Sequence, residues 1–245
     1  MATTAIVGGT GLVGSRIVNT LLSMPTVSHI GFLARREPSN STTQTLLESH
    51  PGKLSTFIST DLPSAWCSHL RTATPVPEIF FSSMATTRAN AGGLAPQRAL
   101  EHDANVELAR AAKEAGARVY VLISATGADK TSIIPYNKLK GDIEQSIIDI
   151  GFEKTVIVRP GMISGQREVG RPVEGAISGL GNVLGWISQP LLRDWWTQDA
   201  SVIARAAVSA AIKALQGAGP EGQKRVLYLG GDDIVRLGRT EWEET

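Results

Sequence analysis

A short β-prone run, Thr4 to Val7, leads straight into Gly8-Gly9-Thr10-Gly11, and from Leu12 the apolar residues Leu12, Val13, Ile17, Leu21 and Leu22 recur at helical spacing. Strand, tight glycine turn and helix in that order form a dinucleotide-binding signature. Gly8 permits the turn, Gly11 lets backbone approach a pyrophosphate, and Gly14 allows the helix to pack closely, while the helix N-terminus supplies N–H groups and dipole. Gly8, Thr10, Gly11, Leu12, Val13 and Gly14 are therefore the first candidate cofactor residues. A bare three-glycine match would be weak; its place at the first strand-to-helix junction gives it weight against a mere tight turn.

Further strands are expected at Ile30 to Ala34, Leu54 to Ile58, Glu78 to Phe81, Val119 to Ile123 and Thr155 to Val158. Helices are expected at Gln97 to Ala115, stopped by Gly116, and at Tyr136 to Ile150, which places Leu139, Ile143, Ile147 and Ile150 on one face. Ser39 to Thr45 reads as a polar excursion, so the order begins β-α-β-β. Strands alternating with helices of this length specify a doubly wound parallel sheet of Rossmann type. After Pro160 the pattern loosens into a glycine-rich apolar segment, a helix near Ala200 to Leu215 and a short strand at Arg225 to Leu229. The expected organisation is one domain over 1–245, with a cofactor-binding core to residue 160 and a small C-terminal portion on the substrate side.

The charges nearly cancel, 24 Lys and Arg against 23 Asp and Glu, which speaks against a nucleic-acid partner. Cys67 is the only cysteine, so no internal disulfide can form. His29, His50, His69 and His102 are scattered without metal-ligand spacing, and no metal site is expected. The first residues hold neither a charged n-region nor an Arg-rich amphipathic stretch, so no cleavable targeting signal is expected. The apolar segment Val173 to Leu192 carries Glu174 and four glycines, which argues against a spanning helix but leaves room for peripheral contact with a membrane surface.

Where a cofactor lacking a 2′-phosphate usually meets an acidic residue, at the end of the second strand, this chain has Arg35 and Arg36. Guanidinium groups suit a phosphate, which favours NADP(H); two solvated loop arginines are the competing reading. Asp61, ending the third strand, is placed to accept from an adenine amino group or simply to cap the next turn. Tyr136 and Lys140 lie one turn apart on one helix face. An ammonium there favours the phenolate and makes Tyr136 a better proton donor to a developing alkoxide. Ser124, at the C-terminal end of the fifth strand, is where a hydroxyl could hold a substrate carbonyl. A surface Tyr and Lys with a loop Ser is the plain alternative.

The runs GGTGLVGS, ARR, FSSMATTRANAGG, LISATGADK, YNKLKGDIE and VRPGMISGQRE resemble the atypical short-chain dehydrogenase/reductase family, and within it the Tat-interacting-protein branch with its fungal members, peripheral proteins of the mitochondrial outer membrane. The resemblance covers about residues 3 to 172, with a looser match at 200 to 229. It implies an NADP(H)-binding Rossmann fold in which Ser124, Tyr136 and Lys140 occupy the catalytic triad positions. It also implies that Leu62 beside Asp61, then Ser83, Met84, Ala85 and Thr86 after the fourth strand, and Pro160, Gly161 and Met162 after the sixth border the cofactor. One departure is that no asparagine matches the additional catalytic Asn of typical members. Asn105 is the nearest, out of register, which leaves the family's proton relay to solvent open.

The leading expectation is an NADP(H)-dependent reductase acting on a carbonyl or polarised double bond of a small apolar substrate. A cofactor-binding regulator or scaffold at the cytoplasmic face of the mitochondrial outer membrane, or in the cytosol, is the second. A redox-neutral isomerase on the same fold is the third. An intact Ser124, Tyr136 and Lys140 favours the first, while the apolar stretch with Trp186, Trp195 and Trp196 could line a pocket, a lid or a membrane-facing surface. Helices of this fold often pair into homodimers, and no residue pattern in the chain decides for or against one.

Overall fold

The computed structural model describes residues 1–61, 63–86, 88–164 and 197–243. Its centre is a seven-stranded parallel sheet made of β1 (Ala2–Val7), β2 (Val27–Ala34), β3 (Leu54–Ile58), β4 (Ile79–Ser82), β5 (Val119–Ile123), β6 (Lys154–Val158) and β9 (Val226–Leu229), in the order β3-β2-β1-β4-β5-β6-β9. Two further short strands, β7 (Met162–Ser164) and β8 (Thr197–Asp199), pair with each other beyond the sheet. The parallel, doubly wound sheet expected from the sequence is the observed one.

The central strands are apolar runs because both of their faces are covered. Successive residues of β5 alternate between two cores: Val119, Val121 and Ile123 face one, Tyr120 and Leu122 the other. The first core is closed by α1 (Leu12–Ser23) and α8 (Ala200–Gln216), the second by α3 (Ser64–Arg71), α6 (Ala104–Ala115) and α7 (Pro135–Ile150). In α8 the small residues Ala204, Ala206, Ala207, Ala210 and Ala211 are all fully buried, so this helix lies close against α1 and the sheet. Each fully buried Ile or Leu of α1 contributes roughly 1.5–3 kcal/mol. Residues 200–216 and 226–229 thus belong to the first core and to the sheet edge.

Two elements depart from the expectation. Between β2 and β3 the polar excursion is a helix, α2 (Ser41–Ser49), because the Asn40 side chain caps it by accepting from the Thr43 amide at 3.0 Å. Thr43 is buried and donates to Asn19 of α1 at 2.6 Å, and Leu46 and Leu47 supply the only apolar face. The order is therefore β-α-β-α-β, and each crossover carries a helix. The continuous helix expected over 97–115 is instead α5 (Leu94–Arg98), a π-helical turn at Ala99–Asp103 and α6. A four-residue turn, α4 (Arg88–Ala91), precedes them.

Candidate active site

From β1 the chain steps outward to β2 and β3, then crosses back to β4 on the other side of β1, so the C-terminal ends of β1 and β4 flank the point where the winding reverses. Ligands of open α/β sheets lie in such a crevice. Gly8 leaves β1 with φ 77°, and a Cβ placed there would stand 2.5 Å from the carbonyl carbon and oxygen of Ser83, the residue following β4. Only glycine lets the two loops touch. At Gly14 a Cβ would approach the Gly8 oxygen to 2.1 Å, so this glycine lets α1 start directly beneath the turn. The Gly11 amide closes the turn onto the Gly8 carbonyl at 2.9 Å, leaving Thr10, Gly11, Leu12 and Val13 around the start of α1.

Arg35 and Arg36 follow β2 and are exposed, and neither makes a hydrogen bond or ion pair with another described residue. Asp61 is exposed too, with its amide donating to Ser59 Oγ at 3.1 Å. Leu62, Thr87 and the segment 165–196 with Trp186, Trp195 and Trp196 lie outside the described residues.

Ser124 sits at the end of β5, buried, and its hydroxyl donates to Glu144 Oε1 at 2.5 Å. Glu144, on α7, is bound from the other side by Arg159 through two guanidinium nitrogens. Arg159 in turn lies over the Tyr228 ring, 4.5 Å from its centre. The hydrogen bond to Glu144 pushes the already high Arg159 value up further, so this cation is permanent. Ser124 therefore commits its proton to Glu144 and offers lone pairs to whatever enters beside it.

The loop after β5 folds back on the start of α7. At Gly141 a Cβ would stand 2.1 Å from the Lys130 nitrogen, so the glycine makes room for residues 129 and 130 to cross the helix. Lys138 donates to the Lys130 carbonyl at 2.7 Å, and the Asp129 amide to the Asn137 carbonyl at 3.0 Å. These contacts fix the first turn of α7, from which Tyr136 projects, 48% exposed. Lys140 lies one turn on, its Nζ 5.8 Å from the centre of the Tyr136 ring.

Lys140 is not a solvated cation. Its side chain is 6% exposed and pairs with Glu101 Oε2 at 2.8 Å, itself wholly buried. Glu101 Oε1 accepts from the Thr86 amide and from Gln97 Nε2, both at 3.0 Å. Asn105 is buried at the start of α6, where it accepts from Ser82 Oγ and donates to the Glu101 carbonyl at 2.6 Å and to the Met84 carbonyl at 3.5 Å. Ser83, Met84, Ala85 and Thr86 thus form one wall between Gly8 and the Glu101 carboxylate. On the far side, Pro160 accepts from the Thr126 amide at 2.8 Å, the Gly161 amide donates to the buried Gln198 at 3.3 Å, and Met162 is exposed. Glu101, Glu144, Arg159 and Gln198 are not among the residues expected from the sequence. Glu144 and Arg159 stand inside the runs YNKLKGDIE and VRPGMISGQRE; nothing local marks Glu101. Among the described residues no group of three His, Cys, Asp or Glu could hold a metal ion.

Over 244 residues, covering 100% of this chain and 99% of the relative, the sequence is 65% identical to "Protein FMP52, mitochondrial" of Coccidioides immitis. The chain belongs to the FMP52 family. An Aspergillus oryzae member is 50% identical and one from Neurospora crassa 42%, each over nearly the full length, and both are also named mitochondrial. No family model matches the sequence. The FMP52 chain has the fold of short-chain dehydrogenases/reductases: one from Saccharomyces cerevisiae superposes with a TM-score of 0.66 at 14% identity, over 97% of this chain and 99% of that one. A UDP-glucose 4-epimerase from Stenotrophomonas maltophila, with bound NAD, superposes with a TM-score of 0.65 at 14% identity, over 94% and 77% of the two chains. Among the described residues of this FMP52 chain, no helix is long and apolar enough to cross a membrane.

Proposed function

We propose that this FMP52-family chain is an NADP(H)-dependent oxidoreductase of the atypical short-chain dehydrogenase/reductase type, in its Tat-interacting-protein-like branch. Its substrate is a small apolar molecule bearing a carbonyl or polarised double bond. One observation carries the reading: contacts run unbroken from the Gly8 turn through Ser83 and its loop to Thr86, then through Glu101 and Lys140 to the ring of Tyr136. A dinucleotide whose pyrophosphate lies on the glycine turn, with its 2′-phosphate toward Arg35 and Arg36, would direct its reactive ring along that wall toward Tyr136.

When bound, a reduced nicotinamide supplies the hydride. Tyr136 then gives its phenolic proton to the oxygen that gains negative charge, and Lys140 orients the ribose while its ammonium favours the resulting phenolate. Ser124 holds the same oxygen; to donate to a carbonyl it must turn its hydroxyl away from Glu144. The exposed side chains of Ile134, just before the helix that carries Tyr136, and Met162, after β6, suit an apolar substrate. Peripheral contact with the cytoplasmic face of the mitochondrial outer membrane fits the mitochondrial names of the relatives.

A second reading, a nucleotide-binding regulator without turnover, is favoured by one feature: Ser124 and Lys140 are each already satisfied by a buried carboxylate. Calorimetric titration with NADPH and NADH decides whether either reading stands. Selective NADPH binding is expected, and binding of neither nucleotide refutes both. In a screen of carbonyl and enone substrates, Tyr136→Phe is expected to lower turnover by about 10²–10⁴. Because the hydroxyl acts in the transition state, NADPH affinity should stay within about threefold. NADPH binding without any turnover in the wild type would leave the regulator.

A further inference from the structure

Glu101 is a wholly buried charge to which the proposed chemistry assigns no step. It sits in the π-helical turn Ala99–Asp103, a rare insertion that recurs at functional sites. Asn105 donates to the Glu101 carbonyl and so holds the turn in place from below. The carboxylate reaches three separate elements: the Thr86 amide of the loop after β4, Gln97 of α5 and Lys140 of α7. At the other end of the same loop, Ser83 lies against Gly8.

We propose that Glu101 is a positioning residue that couples occupancy of the loop 83–86 to the catalytic lysine, its two carboxylate oxygens carrying the loop on one and the Lys140 ammonium on the other. The inference rests on the reading that the crevice binds NADP(H). A pair retained for packing alone would need only Lys140 and Glu101. Here one oxygen is spent on the backbone amide of the segment a dinucleotide would border, so any ligand that sets that amide also sets the carboxylate and the ammonium beyond it. In a site shielded from water, such charge-assisted hydrogen bonds are strong enough to pass the constraint on.

The test uses the full chain and NADPH, and follows acylation of Lys140 by an amine-directed reagent through peptide mass spectrometry. Lys138, two residues away with its side chain 55% exposed, serves as the internal reference. In the wild type, Lys140 is expected to label slowly and to be protected a further fivefold or so by saturating NADPH, within the usual range of coupling between sites. Glu101→Gln keeps an acceptor for the Thr86 amide but removes the charge. Lys140 labelling in the absence of nucleotide should then rise at least about tenfold, near the lower end of what one charged hydrogen bond supplies, and NADPH protection should fall to the share that direct contact with the ribose provides. If E101Q does not fold, Glu101→Asp keeps the charge but shortens the arm, so it cannot serve Thr86 and Lys140 together, and an intermediate labelling rate is expected.

Wild-type labelling and protection in the folded variant would overturn the coupling while leaving nucleotide binding intact. Failure of the wild type to bind NADPH would remove the functional reading and the coupling with it.

Discussion

Replacing Arg159 by methionine tests whether the Ser124–Glu144–Arg159 chain is an energetic unit. The substitution leaves Glu144, almost fully buried, with the Ser124 hydroxyl as its one remaining side-chain donor among the described residues. Removing one partner of a buried ion pair costs roughly 3–5 kcal/mol. The Arg159 side chain is 33% exposed, so water reaches the space it vacates and about 2–3 kcal/mol should remain. Glu144→Gln is milder: Gln can still accept from Ser124, and Arg159 can turn to solvent, for a loss of about 1–2 kcal/mol. In the double variant no charge is left to strand, so the combined loss should fall short of the sum by about 1–2 kcal/mol. Urea unfolding at pH 7, read as the change in midpoint at constant slope, measures all three. An Arg159→Met protein within about 0.5 kcal/mol of the wild type, or strictly additive losses, would refute the reasoning.

Gly14→Ala should destabilise by about 1–3 kcal/mol and abolish nucleotide binding, because its Cβ meets the Gly8 carbonyl oxygen at 2.1 Å; Gly11→Ala, with 3.2 Å available, should be the milder of the two in thermal unfolding. Arg35→Ala with Arg36→Ala should leave stability within about 0.5 kcal/mol, since neither has a partner among the described residues, yet weaken NADPH by roughly 1.5–3 kcal/mol per lost charged hydrogen bond with little change for NADH. Equal losses for both nucleotides would contradict the 2′-phosphate role. Burial holds His29 and His69 below their usual 6.5, so the unfolded chain binds more protons than the native one as pH falls. Their contribution is present above pH 6.5 and lost on acidification toward the folded values, so melting temperature should fall between pH 7.5 and 5.5, and less steeply in His69→Phe, which keeps a ring to stack on Phe57. An unchanged slope in that variant would rule out His69 as a source.

What the sequence disclosed follows from the range over which each feature is encoded. The central strands of the sheet are apolar runs because both of their faces are buried, and the glycine turn is written in seven consecutive residues whose spacing is itself the geometry. Tyr136 and Lys140 are legible because one helical turn separates them. By contrast, α2 has only Thr43, Leu46 and Leu47 facing inward and a Ser/Thr-rich start, so no apolar periodicity announces it. Its start is set by the Asn40 cap. The π turn at 99–103 is invisible for a related reason: it changes the number of residues in one turn without changing composition.

The buried carboxylates mark where that legibility ends. Glu101 meets Lys140 across 39 residues, Glu144 meets Ser124 across 20 and Arg159 across 15, pairings that only the stacking of β4, β5 and β6 brings about. A triad read from spacing alone presents Ser124 as a free donor and Lys140 as a free cation. In the fold, each arrives with its charge or proton assigned to a carboxylate on a helix. On the proposed reading the same three side chains suit either a reductase or a nucleotide sensor, and the difference lies in whether ligand binding frees the Ser124 hydroxyl from Glu144 while Glu101 keeps the Lys140 ammonium in place. That places the functional decision in two carboxylates which no short motif contains together, and makes their isosteric amides more informative than truncating the triad itself.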